Sequence, residues 1–443
     1  MSATPSLPDT LESIPAALAF WATTTPDAVA LVAPGRPPTT YHELHGAVDR
    51  LAGDLRALGL GRQDGVALLF PDGPDLCLAT LAAMAAGIAV PLAWPAPATE
   101  YRRMLANRRI RAVLVSAEIP PSALGRQDPR HPVITLSSGP SGRLRDFLLE
   151  GQRWADPSPA VAPDREDIAV LLHSSGTTGP SKLIPLLHRN TVASYRIEAA
   201  ARAFAAADRC LNPAKLAYSL GLITFLVTIF SGATFISVPG PDLGAMSGWL
   251  ETYRPTYLVA TPALLRTLAA DNGELRQALR RAPVRCITTS AAPLAASEAP
   301  DLESALGAPI LGIYGLSEAS CIASEPYPAL HRVPGSVGVA RCEVRIVDRF
   351  AEPLDPRQAG EIVVRHGVIL CGFTNFPALM PSDASNFYAR NVYTFLMLML
   401  EKLNGEWRFK DYFADEITQM TLITHQGKVR FETTKNAKKV KVN

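Results

Sequence analysis

An α/β fold built on largely parallel sheets is the architecture that this 443-residue sequence predicts. Three observations point there: short apolar runs bounded by turn residues, helix-period segments between those runs, and a composition 48% hydrophobic and 19% charged. That composition belongs to a packed globular chain, and the length allows two or three units. Along the chain, His42–Leu58 places Leu44, Val48, Leu51, Leu55 and Leu58 at steps of three and four, an amphipathic helix. The runs Val66–Phe70 (VALLF), Ala169–His173 (AVLLH), Thr234–Val238 (TFISV), Thr256–Thr261 (TYLVAT) and Arg285–Ser290 (RCITTS) read as buried strands. Thr261–Ala270 (TPALLRTLAA) reads as one of the helices between them. Strand–helix alternation implies parallel pairing with helices on both faces, and ligands then bind at loops leaving the carboxyl ends of strands. After Pro334 the runs shorten to EVRIVD and GEIVVR, a smaller β unit. Near Gly367–Gly372 the composition itself changes.

Several function classes are disfavoured. The 43 basic and 41 acidic side chains leave a net charge of +2, which exerts no general pull on nucleic acid or an anionic membrane. The basic cluster Lys435–Val442 is confined to the end and reads as a solvated terminus. Six scattered cysteines form no C-x-x-C pair, which argues against a zinc site or disulfide framework and fits a reducing compartment. The start of the chain has no basic stretch leading into an apolar core, so no signal peptide is read there. The apolar runs Leu220–Phe230 and Val392–Leu400 are shorter than a membrane span. A cytoplasmic protein with neither membrane nor nucleic acid as partner is expected.

The chemistry concentrates in LLHSSGTTGPSKLIP (Leu171–Pro185). Of the residues up to Cys371 only two are lysine, Lys182 and Lys215, where the same region holds 31 arginines; seven more lysines follow Cys371. Ser174, Ser175, Thr177 and Thr178 bring four hydroxyls around Gly176, and Gly179 follows. Glycines let the backbone approach a ligand closely, and amide N–H groups with hydroxyls can donate together to phosphate oxygens. A lysine adds compact positive charge. The pattern is not the G-x-x-x-x-G-K-[ST] phosphate loop, and composition alone leaves a flexible polar turn open.

The neighbouring motifs decide between these. SSGTTGPSK resembles the [ST]-S-G-T-T-G-x-P-K signature of the adenylate-forming family, which holds acyl-CoA synthetases, luciferases and the adenylation domains of peptide synthetases. LAAMAAGIAVPL (Leu81–Leu92), RPTYLVATPALL (Arg254–Leu265), TTSAAPL (Thr288–Leu294, against S-G-G-A-P-L), YGLSEAS (Tyr314–Ser320, against Y-G-x-T-E) and Gly335–Arg365 resemble further segments, in the family's order. The resemblance spans roughly residues 10–367. It implies the large domain of such an enzyme, three-layered α/β subdomains on two parallel sheets with a β-rich third from about 334, and two substrates, ATP with Mg²⁺ and a small carboxylic acid. By the same resemblance Ser174, Ser175, Gly176, Thr177, Thr178, Gly179 and Lys182 would hold the outer phosphates, and Glu318 the Mg²⁺. Ser317 would donate to the α-phosphate. Tyr314 and Gly315 would pack on adenine, with Ser290, Ala291, Ala292 and Pro293 along its edge. Lys182, Thr178, Ser317 and Glu318 are the expected catalytic set. Tyr218, Gly221, Leu222 and Ile313 would line the acid pocket, where the β-branched Ile313 shortens the cavity toward a compact acid. CoA or a carrier-protein thiol would accept the acyl group.

Beyond Cys371 the resemblance changes. The family's hinge and its lysine-bearing lid motif are not found, and GEWRFKD (Gly405–Asp411) keeps only the spacing of the family's ribose-binding G-W-x-x-T-G-D. Cys371–Phe431 resembles instead the C-terminal end of the NAD-binding domain of the proton-translocating NAD(P) transhydrogenase alpha subunit, implying a helix carrying Val392, Phe395, Leu396, Met399 and Leu400, then a hairpin around Gln426–Gly427. The G-x-G-x-x-G turn of a dinucleotide site is not found in it. The expectation is therefore an acid-adenylating domain, 1–367, of impaired activity, followed by an unrelated tail, 368–443. A non-catalytic nucleotide-binding protein and a transhydrogenase fragment are the alternatives.

Overall fold

The computed structural model describes residues 7–124, 131–153, 155–157, 160–173, 183–271, 273–328, 332–333, 336–342 and 344–347, and the backbone of six short strands beyond them. The chain divides into two compact units, Met1–Glu343 and Val344–Asn443.

In the first unit, β1 (Val29–Ala33) and β2 (Arg36–Thr40) form a hairpin. Five parallel strands follow, β3 (Gly65–Leu69), β4 (Ile88–Leu92), β5 (Ile110–Ser116), β6 (Val133–Ser137) and β8 (Ile168–His173), with β7 (Leu148–Glu150) and β9 (Leu183–Leu187) antiparallel at the two edges. They stand in the order β7-β6-β5-β3-β4-β8-β9. A second parallel set, β10 (Arg209–Asn212), β11 (Thr234–Ser237), β12 (Tyr257–Val259), β13 (Cys286–Thr289) and β14 (Ile310–Tyr314), joins β1. With the antiparallel edge strands β2, β15 (Ala323–Ser324) and β16 (Val339–Ala340) it makes a nine-stranded sheet, β16-β15-β14-β13-β12-β10-β11-β1-β2.

The helices explain why both sheets are buried on two faces. The helix α1 (Ile14–Thr24), α2 (Tyr41–Leu58) and α3 (Pro74–Ala86) share one core with α5 (His188–Ala201) and α6 (Ser219–Phe230) and the facing side chains of both sheets, such as Val66 and Leu68 on one and Leu31 and Phe235 on the other. The α4 helix (Ala98–Leu105) sends Tyr101 and Met104 against Ala67 and Leu69 on the outer face of the first sheet. Against the outer face of the second lie α7 (Leu243–Tyr253), α8 (Pro262–Ala270), α9 (Glu274–Arg281) and α10 (Ala299–Leu306). Each sheet is thus the centre of a three-layer sandwich, and the two sandwiches share their middle helices.

Local chemistry sets the helix ends. The α2 helix starts with a capping box: Thr40 Oγ1 accepts from the Glu43 N–H, and the Glu43 carboxylate accepts from the Thr40 N–H, each at 3.2 Å. It stops at Gly59, whose φ of 115° is left-handed. Its stripe of Leu44, Val48, Leu51 and Leu55 is buried, as the spacing predicts. The α8 helix is capped by Thr261 with Pro262 in its first turn. By contrast α6 is apolar on every side, and its ten residues from Gly221 to Phe230 are all buried.

The second unit is described in pieces. Strands β17 (Val344–Val347), β18 (Glu361–Val364) and β19 (Val368–Leu370) form an antiparallel sheet. The expected tail helix is corrected at its carboxyl end: Leu400–Leu403 is a strand, β20, paired with β21 (Glu406–Phe409) so that Leu403 faces Glu406. The intervening Asn404-Gly405 is a strong two-residue hairpin signal, and it prevails over helical spacing there. Val392, Phe395, Leu396 and Met399 lie outside the described residues. Around Gln426–Gly427, β22 (Thr424–His425) and β23 (Lys428–Val429) form the hairpin that the sequence suggests.

Candidate functional site

Because β10 to β14 run parallel with β1, their carboxyl ends share one edge of the nine-stranded sheet. Three sequence-derived groups leave from that edge. Tyr314 closes β14, and Gly315, Ser317 and Glu318 follow it. Ser290, Ala291, Ala292 and Pro293 follow β13, one residue past the pairing of Thr289 with Gly312. Tyr218, Gly221 and Leu222 lie past the end of β10. In the sheet β12 alone separates β10 from β13.

Each group has a local reason for its shape. The turn after β14 is tight: the Ile322 N–H donates to the Tyr314 carbonyl at 2.9 Å, and Leu316 and Ala319 exchange bonds of 3.0 and 3.1 Å. Only glycine fits at 315, since a Cβ there would stand 1.9 Å from the Ser320 carbonyl oxygen. Tyr314 and Ser317 are half-buried, and Glu318 faces solvent. Ile313, half-buried, pairs with Ser324, while the Gly312 N–H donates to Glu325 Oε2 at 2.7 Å, which ties β14 to the loop after β15. After β13, Ala291 to Pro293 are exposed.

Ala291 has φ of 72°, at a position where the resembled S-G-G-A-P-L segment carries glycine. The left-handed conformation costs an L-residue roughly 1–2 kcal/mol, and glycine adopts it freely. Ala291→Gly is therefore expected to raise stability by up to about 1 kcal/mol, net of the extra chain entropy that glycine loses. Thermal denaturation checks this; a clear fall in Tm would count against the left-handed backbone.

Tyr218 is the N-cap residue of α6 and is 47% exposed, whereas Gly221 and Leu222 in the first turn are buried. A Cβ on Gly221 would lie 2.2 Å from the Lys215 carbonyl oxygen, so the loop after β10 folds back directly over the helix start. Asn212, almost fully buried, braces that loop. Its Oδ1 accepts from the Ala214 N–H and its Nδ2 donates to the Ala214 carbonyl, each at 3.2 Å, with a longer bond of 3.4 Å to the Gly221 carbonyl.

Ser174, Ser175, Gly176, Thr177, Thr178, Gly179 and Lys182, expected from the sequence to hold phosphates, lie outside the described residues. The strands that bracket them are described: His173 ends β8 and pairs with Leu183 at the start of β9. His173 is buried, neither ring nitrogen has a hydrogen-bond partner among the described residues, and burial with the nearby Arg103 charge pulls its pKa down to about 4. The strand β8 neighbours β4, with Val170 opposite Ala89, so three residues on His173 comes level with Leu92. From there Trp94 reaches the other sheet, its carbonyl accepting from Lys215 Nζ at 3.2 Å. The loop after β3 does likewise: Asp72 Oδ1 accepts from the Leu216 N–H at 2.9 Å. The carboxyl ends of both sheets thus converge on the segment that carries Tyr218.

Asp72, Asn212 and Lys215 are absent from the sequence-derived site. The rarity of lysine was a signal for Lys215, while nothing local marked the other two. A cavity of about 230 Å³ opens near Asp72, lined among others by Arg36, Phe70, Ser116, Glu118 and Ser237, and none of the sequence-derived site residues lines it. Among the described residues no cluster of His, Cys, Asp or Glu could hold a metal by itself. The five described cysteines are unpaired, and no described helix is long and apolar enough to cross a membrane.

Known proteins resemble the chain in sequence and in fold. The AMP-binding enzyme family model matches residues 18–373, and the model for the alanine dehydrogenase/PNT C-terminal domain matches 352–432. The chain is 28% identical, over 83% of its length and 74% of the relative's, to a 3-hydroxybenzoate–CoA/4-hydroxybenzoate–CoA ligase of Thauera aromatica. It is 29% identical to a 3-hydroxybenzoate–CoA ligase of Aromatoleum sp. (strain CIB), over 77% of this chain and 66% of that protein. Its fold matches ATP-bound MatB from Rhodopseudomonas palustris with a TM-score of 0.66 at 23% identity, covering 79% of this chain and 69% of the other.

Proposed function

The chain belongs to the AMP-binding enzyme family, and on that premise we propose that it joins a compact carboxylic acid to AMP, consuming ATP and releasing pyrophosphate. The acyl group then passes to a thiol, of CoA or of a carrier protein. One observation carries the reading: segments matched in the family's order in sequence leave adjacent parallel strands at one sheet edge, after β13 and β14.

A carboxylate is a weak nucleophile, and the triphosphate it attacks is a polyanion. The site must therefore spread positive charge and N–H or O–H donors over the phosphates and align the acid with the α-phosphorus. We assign Lys182, with Ser174, Ser175, Thr177 and Thr178 and the amides at Gly176 and Gly179, to the outer phosphates, and Ser317 to the α-phosphate. Tyr314 stacks on adenine beside Gly315, with Ser290, Ala291, Ala292 and Pro293 at its edge. Exposure of Ala291–Pro293 and of Glu318, with Tyr314 half-buried beside them, fits an open cradle for a nucleotide. The hard oxygen donor of Glu318 suits Mg²⁺, which would screen phosphate charge when bound. Tyr218, Gly221, Leu222 and Ile313 form the acid site. The hydroxybenzoate–CoA ligases among the relatives make small aromatic acids the first to try.

Equilibrium binding of ATP with Mg²⁺ tests the site. Lys182→Ala and Glu318→Ala are each expected to weaken it at least tenfold, and unchanged affinity in both would refute the assignment. ATP–pyrophosphate exchange over acids of increasing length tests the reaction, with a preference for long-chain acids against it. Exchange by this 443-residue polypeptide is expected to be slow, because the residues after Cys371 resemble a different family where adenylating relatives carry the hinge and lid lysine. Stabilisation by NAD rather than ATP would instead favour the reading suggested by the tail's match.

A further inference from the structure

We propose that Asp72 and Lys215 form a two-point latch that positions the 212–221 segment and thereby sets the affinity of the acid site. The inference rests on the acid-adenylating reading and adds to it two positioning residues, neither of which touches the reacting atoms.

Consecutive residues of the segment are held from two different loops of the other sheet. The Leu216 N–H is taken by Asp72, from the loop after β3, and the Lys215 ammonium donates to the Trp94 carbonyl, in the loop after β4. Within the segment, Asn212 ties its first residues to Gly221. The Tyr218 N–H donates to the Lys215 carbonyl at 3.2 Å, and the Tyr218 carbonyl accepts from the Leu222 N–H at 3.0 Å. The result is a loop closed at its base, anchored at its middle, and presenting a half-exposed aromatic ring at the start of α6. Such bracing preorganises a binding wall and reduces the ordering cost of ligand capture.

A simple packing contact between the sheets would not need these side chains. The layer that joins the sheets is built mainly of apolar helix faces, which are non-directional. At the Tyr218 loop a carboxylate and an ammonium each fix one backbone atom from across the interface. The carboxylate is half-buried, and burial raises its pKa, opposed by the Leu216 N–H and the Lys215 charge. Lysine suits its own contact, because an ammonium on a flexible stem gives a single-point donor where a guanidinium presents a planar fork. Its use here, in a region that supplies almost every other cation as arginine, is accounted for by that geometry.

Binding of two probes to the full chain provides the test. AMP reports the nucleotide site alone, and 5′-O-(N-benzoylsulfamoyl)adenosine, a stable benzoyl-adenylate mimic, reports nucleotide and acid sites together. The wild-type chain is expected to bind the mimic at least tenfold more tightly than AMP. Asp72→Ala and Lys215→Met are each expected to erase most of that ratio while leaving the AMP Kd within about twofold. Asp72→Asn, which keeps an acceptor for Leu216, is expected to retain the ratio within about threefold; it and Lys215→Met keep the test readable if Asp72→Ala does not fold. A ratio unchanged in Asp72→Ala and Lys215→Met, or AMP and mimic affinities that weaken in parallel, overturns the latch and leaves the adenylating reading standing. A wild-type chain that binds neither probe overturns that reading, and the latch with it.

Discussion

Replacing Gly315 by alanine is expected to destabilise the first unit by roughly 3 kcal/mol and to weaken nucleotide binding with it. The reason is a close approach of backbone to backbone. A Cβ at this position would stand 1.9 Å from the carbonyl oxygen of Ser320 and 2.7 Å from its carbon, and neither atom belongs to a side chain that could swing away. Relief requires the turn to open, which breaks the reciprocal Leu316–Ala319 bonds and the Ile322–Tyr314 bond. Opening also moves Ser317 and Glu318, which lie inside the same turn. Gly46, in the middle of α2, is the control: nothing lies within 4 Å of its missing Cβ, so Gly46→Ala is expected to gain about 0.5–1 kcal/mol from helix propensity. Urea unfolding of the two variants beside the wild type decides the matter. A Gly315→Ala midpoint equal to that of the wild type would show that the turn is not closed as described.

Acid is expected to destabilise the same unit through two histidines. His188 begins α5 and is 0% exposed; His173 ends β8 and is 8% exposed; among the described residues all four ring nitrogens lack a hydrogen-bond partner. Burial drives both pKa values from 6.5 down to about 4, with Arg103 adding to the effect at His173 and the Asp167 charge opposing it at His188. In the unfolded chain each ring takes up its proton near pH 6.5, and in the folded chain only near 4. Between those values the unfolded state binds more protons, so stability is fully present above pH 6.5 and falls as the pH drops toward 4. The loss should reach roughly 2 kcal/mol for each ring by about pH 5. Comparing pH 7 with pH 5 isolates this contribution, because ordinary carboxylates remain mostly ionised at both. Replacing both histidines with leucine should flatten the dependence over that interval. A double variant that keeps the wild-type slope would place the acid sensitivity elsewhere.

How far the sequence could be read varied from element to element, for physical reasons. The α2 helix was legible because one face is wet and one dry, which writes a 3.6-residue period into residues 42–58. The strands β3, β8, β11, β12 and β13 were legible as apolar runs because parallel strands are covered on both faces. The α6 helix was legible only as an apolar run, since a helix buried all round has no polar face to mark its period. The 171–185 and Tyr314 segments stood out by local chemistry, as hydroxyls, glycines and charges at fixed spacing. Contacts between residues far apart in the chain were not. Asp72 meets Leu216 across 144 positions and Lys215 meets Trp94 across 121, and no local pattern encodes either meeting. The left-handed backbone at Ala291 was equally hidden, because alanine carries no sign of it.

By itself, then, the sequence determined that the chain alternates strand and helix, belongs among adenylate-forming enzymes, and changes character after Cys371. These properties are written in periodicity and residue type, which neighbours along the chain decide. Only the tertiary structure decided that the Ser290, Tyr314 and Tyr218 segments leave one sheet edge, that a second sheet reaches over to hold the last of them, and that Leu400–Leu403 is extended. Those outcomes depend on which strand pairs with which and on what packing leaves room for, and both are settled by residues far apart in sequence.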